Sequence, residues 1–217
     1  MSENILDTRH SARSFLDKPV SEELIRQIIA EAQNAPSWCN SQPAKVYVLT
    51  GDAAKKMAET HLANNVNKTR SWAEIMPPQP DTWNPNNNDN IAEYLTAADT
   101  NEGQNDRFGF IARNKYIFHS PVIVYITIPR NSTMYQAYDA GAFGYGICLA
   151  AHAHGLGSIP AYEFVRFPQE IRDALEIPEN ESLLMGIGIG YADEAEINNF
   201  HAYNGRVPVE SILTIKK

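Results

Sequence analysis

Five consecutive residues near the start of the chain, Arg9-His10-Ser11-Ala12-Arg13, bring two guanidiniums, an imidazole and a hydroxyl together. The planar fork of arginine matches the oxygens of a phosphate, so the cluster suits a bound phosphomonoester. A solvated basic patch is the other reading, and the residues alone do not choose between them. Arg206, beside Asn204 and Gly205, offers a further cation, and no periodicity links it to Arg9. The polar stretch Pro36-Ser37-Trp38-Cys39-Asn40-Ser41-Gln42-Pro43 presents two side-chain amides that both donate and accept. Asn40 and Gln42 could therefore pair with a polar planar ring, or serve only as turn residues.

Other chemistries lack their residue patterns. The chain has no GxGxxG and no Walker sequence, and Gly186, Gly188 and Gly190 alternate as in a strand, which points to close backbone packing. No HExxH occurs; His152 and His154 stand two apart on a helix and diverge, so no metal set is expected. Cys39 has no paired base in a recognisable motif, and Gly157-Ser158-Ile159 is not a nucleophile elbow.

The elements that must carry these residues follow from spacing. Ser21 caps a helix over 21–34 with Glu22 and Glu23 in its first turn and Leu24, Ile25, Ile28, Ile29 and Ala32 on one face. Residues 3–8, 53–66, 91–98 and 167–175 also read as helices. Lys45–Thr50, 121–128 and 183–191 read as strands, the second so rich in β-branched and aromatic residues that both its faces should be buried. A last short strand is expected at 209–215. The helix over 134–153 carries Ala137, Ala140, Gly141, Ala142, Gly144 and Gly146, small enough to admit another backbone closely and suggestive of a dimer interface. Gly155–Pro160 reads as a turn. Between about 74 and 107 the chain makes a Pro- and Asn-rich excursion unsuited to a core helix or central strand.

Strands alternating with helices over 217 residues imply one α+β domain spanning 1–217. The net charge of −8 argues against nucleic acid or an anionic membrane as partner. Two distant cysteines, and no apolar leader or membrane-length apolar run, make the cytoplasm the expected compartment.

Taken in order, Arg9–Phe15, Ala35–Pro43, Asp139-Ala140-Gly141, Gly155-Leu156-Gly157-Ser158, Gly190-Tyr191-Ala192-Asp193 and Arg206 resemble the FMN-dependent nitroreductase family. The resemblance covers nearly the whole chain. It implies a mixed central sheet flanked by helices and an intertwined homodimer with FMN at the subunit interface. It implies that Arg9, Ser11 and Arg13, with His10 beside them, hold the phosphate and ribityl chain, and that Arg206 closes on the same phosphate. Pro36, Ser37, Asn40 and Gln42 would line the flavin from the partner subunit. Ile159, Pro160, Ala161, Tyr162 and Glu163 would lie along the isoalloxazine, with the amides of Tyr162 and Glu163 near N5 and O4. The chain departs from many relatives at Ala161-Tyr162, where those are richer in glycine or place Glu first. The implied activity is ping-pong electron transfer from NAD(P)H to a nitroaromatic, quinone or similar small acceptor, with the flavin and no side-chain nucleophile carrying the chemistry. A specialised flavin enzyme such as a reductive dehalogenase, or a non-catalytic flavin-binding protein, shares the same expectations. The 74–107 excursion is longer than the usual lid of the family and is expected to shape acceptor access.

Overall fold

A computed structural model of the protein describes residues 4–79, 85–97, 109–195, 197–199 and 205–217. In chain order the elements are α1 (Ile5–Thr8), α2 (Glu22–Ala32), β1 (Lys45–Thr50), α3 (Gly51–Val66), α4 (Pro85–Ala97), α5 (Phe110–Lys115), β2 (Val122–Pro129), α6 (Met134–Ala153), β3 (Gly157–Ala161), α7 (Pro168–Leu175) and β4 (Glu181–Gly190). The strands form one sheet in the order β1-β2-β4-β3, every neighbouring pair antiparallel. Among the described residues, parallel pairing enters through one bridge, between Ser11 and Ser158.

The period of two along β2 builds the layers. Val122, Val124, Ile126 and Ile128 face a core shared with Ile28 of α2 and with Ile147 and Ala151 of α6. Ile123 and Tyr125 face the opposite core, with Met57 of α3, Ile171 of α7 and Phe164. Helices thus cover both faces, and β2 is buried along all but its last residue. The Ser21 side chain accepts the Leu24 N–H and caps α2, and α6 begins on a capping box from Thr133 and Gln136.

Two expectations change. Gly155 (φ 74) makes the turn that was read over Gly155–Pro160, but Gly157–Ala161 then pairs with β4 as an edge strand. An edge position tolerates Pro160, which has no N–H to give a further strand. At the C-terminal end, where a strand was expected over 209–215, the chain shows only the 3-10 turn Val209–Ser211, followed by exposed residues. Among the described residues no strand neighbours that segment, so its apolar residues gain no ladder to join.

The excursion is partly helical. Its helix α4 starts at Pro85, six residues before the expected start at Ile91, because proline suits the first helical turn. Residues 80–84 and 98–108 of the excursion lie outside the described residues. Its root is fixed: the buried Glu74 carboxylate takes a two-pronged hydrogen bond from Arg172 and accepts the Leu183 N–H at 2.8 Å. Burial pushes the Glu74 carboxyl up, but Arg172 and the Leu183 amide outweigh it and hold it below the usual range.

Candidate functional site

The Arg9–Arg13 strip lies against the first residues of β3. The Ala12 N–H donates to Ser158 O at 3.0 Å beside the Ser11–Ser158 bridge. This close approach needs Gly157, since a Cβ there would stand 2.6 Å from Ala12 Cβ. With Ala12 buried, the neighbouring polar side chains are left to engage other groups. The Arg9 guanidinium sits 5.5 Å from the ring centre of Tyr145 on α6, and its Nε is buried without a hydrogen-bond partner in the subunit. An orphaned buried donor of this kind needs an acceptor from a water or a ligand. His10 Nδ1 donates to Thr8 O at 3.0 Å, and Thr8 Oγ1 meets His152 Nε2 at 2.9 Å.

Arg13 is more enclosed than its position in the basic strip suggested. Its N–H donates to Asn198 Oδ1 at 2.7 Å, Nη1 donates to Ser11 O at 3.2 Å, and its guanidinium lies 5.5 Å from the Phe110 ring centre. Tyr94 of α4 reaches Arg13 Nη2 at 3.5 Å and meets Phe110 edge-on. The excursion therefore returns over the basic strip. Arg113 of α5 strengthens that return by donating to Ser14 Oγ at 2.7 Å, and Ser14 Oγ donates to Asp193 at 2.5 Å.

At the other end of β3 the chain enters the 3-10 turn Tyr162–Val165. The N–H groups that open such a turn, here those of Tyr162 and Glu163, have no acceptor within it. Packing fixes the turn: Phe164 lies directly on Gly186 and Gly188 of β4, where a Cβ would come within 2.2 Å of Phe164 Cβ and 2.8 Å of Phe164 Cζ respectively. The alternating glycines thus seat an aromatic ring. Ile159 is buried, Pro160 and Tyr162 are exposed, and the Glu163 side chain turns inward, bonding His61 Nε2 at 2.8 Å and Arg166 Nη1 at 3.2 Å. Burial pushes the Glu163 carboxyl up; the hydrogen bond from His61, with the charges of His61 and Arg166, outweighs this and holds it below the usual carboxylate range.

Pro36, Ser37, Asn40 and Gln42 form a second group at the N-terminal end of α6. The Trp38 N–H donates to the buried Asp139 carboxylate at 3.0 Å, Ser37 Oγ accepts the Gln42 N–H at 3.0 Å, and Gln42 Nε2 donates to Asn40 Oδ1 at 3.1 Å. These bonds hold Cys39, Asn40 and Gln42 at φ 49, 58 and 45, left-handed conformations that cost about 1–3 kcal/mol each. Beside the loop lies a cavity of about 680 Å³, lined by Pro36, Ser37, Trp38, Met134, Tyr135, Tyr138 and Asp139. Asp139 and Tyr145 anchor the two groups at different levels of α6, roughly 9 Å apart along its axis. Arg206 lies on the exposed C-terminal segment, where its Nη1 donates to Gly205 O at 2.9 Å. A larger cavity of about 810 Å³ opens between Lys18, Lys55, Tyr116 and His119, and none of the site residues expected from sequence lines it.

Sequence reasoning missed the parts played by Asp139, Tyr94, Phe110 and His61. Asp139 left one signal, a carboxylate inside an otherwise apolar Ala- and Gly-rich helix; the others left none. His152 and His154 diverge as expected, toward Thr8 and Glu31. Among the described residues no group of His, Cys, Asp or Glu could hold a metal ion, and no helix is long and apolar enough to cross a membrane.

Residues 6–191 match the model of the nitroreductase family. The chain belongs to the FMN-dependent nitroreductase family. It is 30% identical over 200 residues to a 4-nitrobenzoate reductase of Nocardioides sp. (strain LMS-CY), covering 87% of this chain and 79% of that protein. It is also 30% identical over 210 residues to a 4-nitrobenzoate reductase of Pseudomonas putida, covering 90% and 87%. Among solved nitroreductases, the FMN-dependent NfnB from Mycobacterium smegmatis in complex with NADPH superposes with a TM-score of 0.87 at 25% identity, covering 100% of this chain and 98% of that one. The family supports flavin-dependent oxidoreductase activity.

Proposed function

We propose that this chain is a single-domain, cytoplasmic, homodimeric flavoenzyme that binds FMN and passes electrons from NAD(P)H to a small nitroaromatic or quinone-like acceptor. The observation that carries the reading is the layout of β3. One end carries the Arg9–Arg13 strip with its orphaned Arg9 donor, and the other runs into the turn opened by the amides of Tyr162 and Glu163, roughly 13 Å away. That arrangement fits a ligand with a phosphate at one end and a polar ring at the other.

Arg9 would give charge-assisted hydrogen bonds to the phosphate, with Ser11, Arg13 and His10 shaping the passage for the ribityl chain and Arg206 approaching from the C-terminal segment. Ile159 and Pro160 would line the ring, and the Tyr162 and Glu163 amides would donate to its polar edge. When bound, FMN supplies the hydride acceptor and donor that no side chain of this protein provides. The Pro36–Gln42 loop would complete the site from a second subunit. In support, Trp38, Met134, Tyr135 and Tyr138, together with Val209, Ile212, Leu213 and Ile215, expose large apolar areas in a lone subunit. The relatives named 4-nitrobenzoate reductase favour a nitroaromatic acceptor, and the neighbour bound to NADPH favours a nicotinamide donor.

The test is an absorbance spectrum of the purified protein, then anaerobic titration with NADH and NADPH, then turnover on nitroaromatics, quinones and halogenated phenols. The reading expects a yellow protein that bleaches and recolours with a nitroaromatic or quinone. A colourless protein that takes up no FMN would overturn it, stable colour without bleaching would leave a flavin-binding protein, and turnover of the halogenated phenols alone would mark a dehalogenase.

A further inference from the structure

The Glu163 carboxylate stands one residue into the turn whose amides are assigned above to the flavin ring, yet it takes no part in that face of the site. It is gathered inward by a lattice built on α3. His61 is buried, its Nε2 donates to Glu163 Oε1 at 2.8 Å, and its ring packs edge-on against Phe167 at 5.0 Å. Arg166 Nη1 reaches the same oxygen at 3.2 Å and also donates to Asn65 Oδ1 at 3.1 Å. Asn65 Nδ2 donates back to His61 O at 3.0 Å, and Asn64 binds Glu170 at 2.7 Å. Two side chains, His61 of α3 and Arg166 just before α7, thus hold the one carboxylate, and Asn65 ties the two together.

Stability alone gives little reason for this cluster. A buried ion pair costs desolvation that apolar residues of the same volume would not, and Phe164 on Gly186 already seats the turn. The lattice does fix which group of Glu163 faces which way. We propose that His61 is a positioning residue: it draws the Glu163 carboxylate toward α3, leaving main-chain amides and no acidic side chain at the flavin ring. The proposal rests on the FMN reading above. Its consequence is electrostatic, because the ring gains electron density on reduction and an ionised carboxylate released beside it would oppose that change.

The experiment measures the midpoint potential and FMN affinity of the holoenzyme for the wild type, H61L, H61Q and H61L/E163Q. H61L, which gives no N–H to Glu163, should shift the equilibrium against two-electron reduction about tenfold, or about 30 mV. H61Q, which can still donate, should stay within about twofold. H61L/E163Q should recover the wild-type potential, since the freed group no longer carries charge. If H61L does not fold, H61N keeps the polarity but is too short to reach Oε1, and it should show the H61L shift. An unmoved potential in H61L or H61N overturns the proposal, as does a shift that E163Q fails to reverse or an H61Q as impaired as H61L. Wild-type protein without FMN would instead defeat the reading beneath it, so the two failures are distinct.

Discussion

Replacing Gly186 with alanine tests how the turn beside the ring is held. The added methyl would lie 2.2 Å from Phe164 Cβ and 2.9 Å from Phe164 Cγ. Carbon atoms rest about 3.5–4.0 Å apart, so Phe164 must retreat by more than about 1 Å. The atom in the way is a Cβ, fixed to the backbone, and no rotamer change removes it. Overpacking a core costs about 1–3 kcal/mol, and a clash with so little room to relax belongs at the upper end. For a chain of this size, about 3 kcal/mol corresponds to roughly 6–12 °C in Tm. Retreat of Phe164 also carries Tyr162 and Glu163 off the end of β3, so FMN affinity should fall with stability. Thermal unfolding with and without FMN, and flavin titration of the apoprotein, read both effects. A G186A protein within about 1 °C of wild type and with unchanged affinity would refute this account of the turn.

Arg9→Ala should weaken FMN by about 10–100-fold, the size of a lost charge-assisted hydrogen bond, while riboflavin binding stays nearly constant; equal losses for both ligands would remove Arg9 from the phosphate. Asp139→Ala should release the Trp38 N–H and relax the left-handed backbone at Cys39, Asn40 and Gln42, lowering stability by about 1.5–3 kcal/mol in urea unfolding. Glu74→Ala leaves Arg172 buried without its carboxylate and should cost about 3–5 kcal/mol by the same assay, with faster proteolysis of the excursion. Glu74, Glu163 and Glu181 are all held below their ordinary value of 4.5, so their contribution is complete above that pH and is lost as pH falls through their lowered folded values. Urea midpoints should therefore drop on acidification below 4.5, and a flat profile there would contradict these assignments.

Much of the frame was readable in the sequence because periodicity records burial. The run Val122–Ile128 announced a strand covered on both faces, and the small residues of 134–153 announced a closely packed helix. β3 was not readable, since Gly157 and Pro160 are poor strand formers and their reasons lie in Ala12 and in the open sheet edge. The expected strand at 209–215 is rich in β-branched residues but has no strand partner among the described residues. In the site, Arg9 and Arg13 were visible as a cluster, while their different surroundings were not. Arg13 is enclosed by Tyr94 of α4 and Phe110 of α5, whose approach to the strip no local spacing encodes. The pairing of His61 with Glu163 crosses 102 positions and follows from the packing of α3 beside the turn, which no local spacing encodes.

The bridge between Ser11 and Ser158 also sets when the site can exist. During synthesis the basic strip leaves the ribosome ahead of the strand it must join, which follows 147 residues later. At about 5–20 residues per second the strip waits roughly 7–30 s for its partner, and contacts so distant in sequence form late in folding as well. If FMN binds as proposed, a nascent chain has no cradle for its phosphate until β3 is laid down, and a chain stopped before β3 would carry all of its basic strip and have nowhere to seat the ligand.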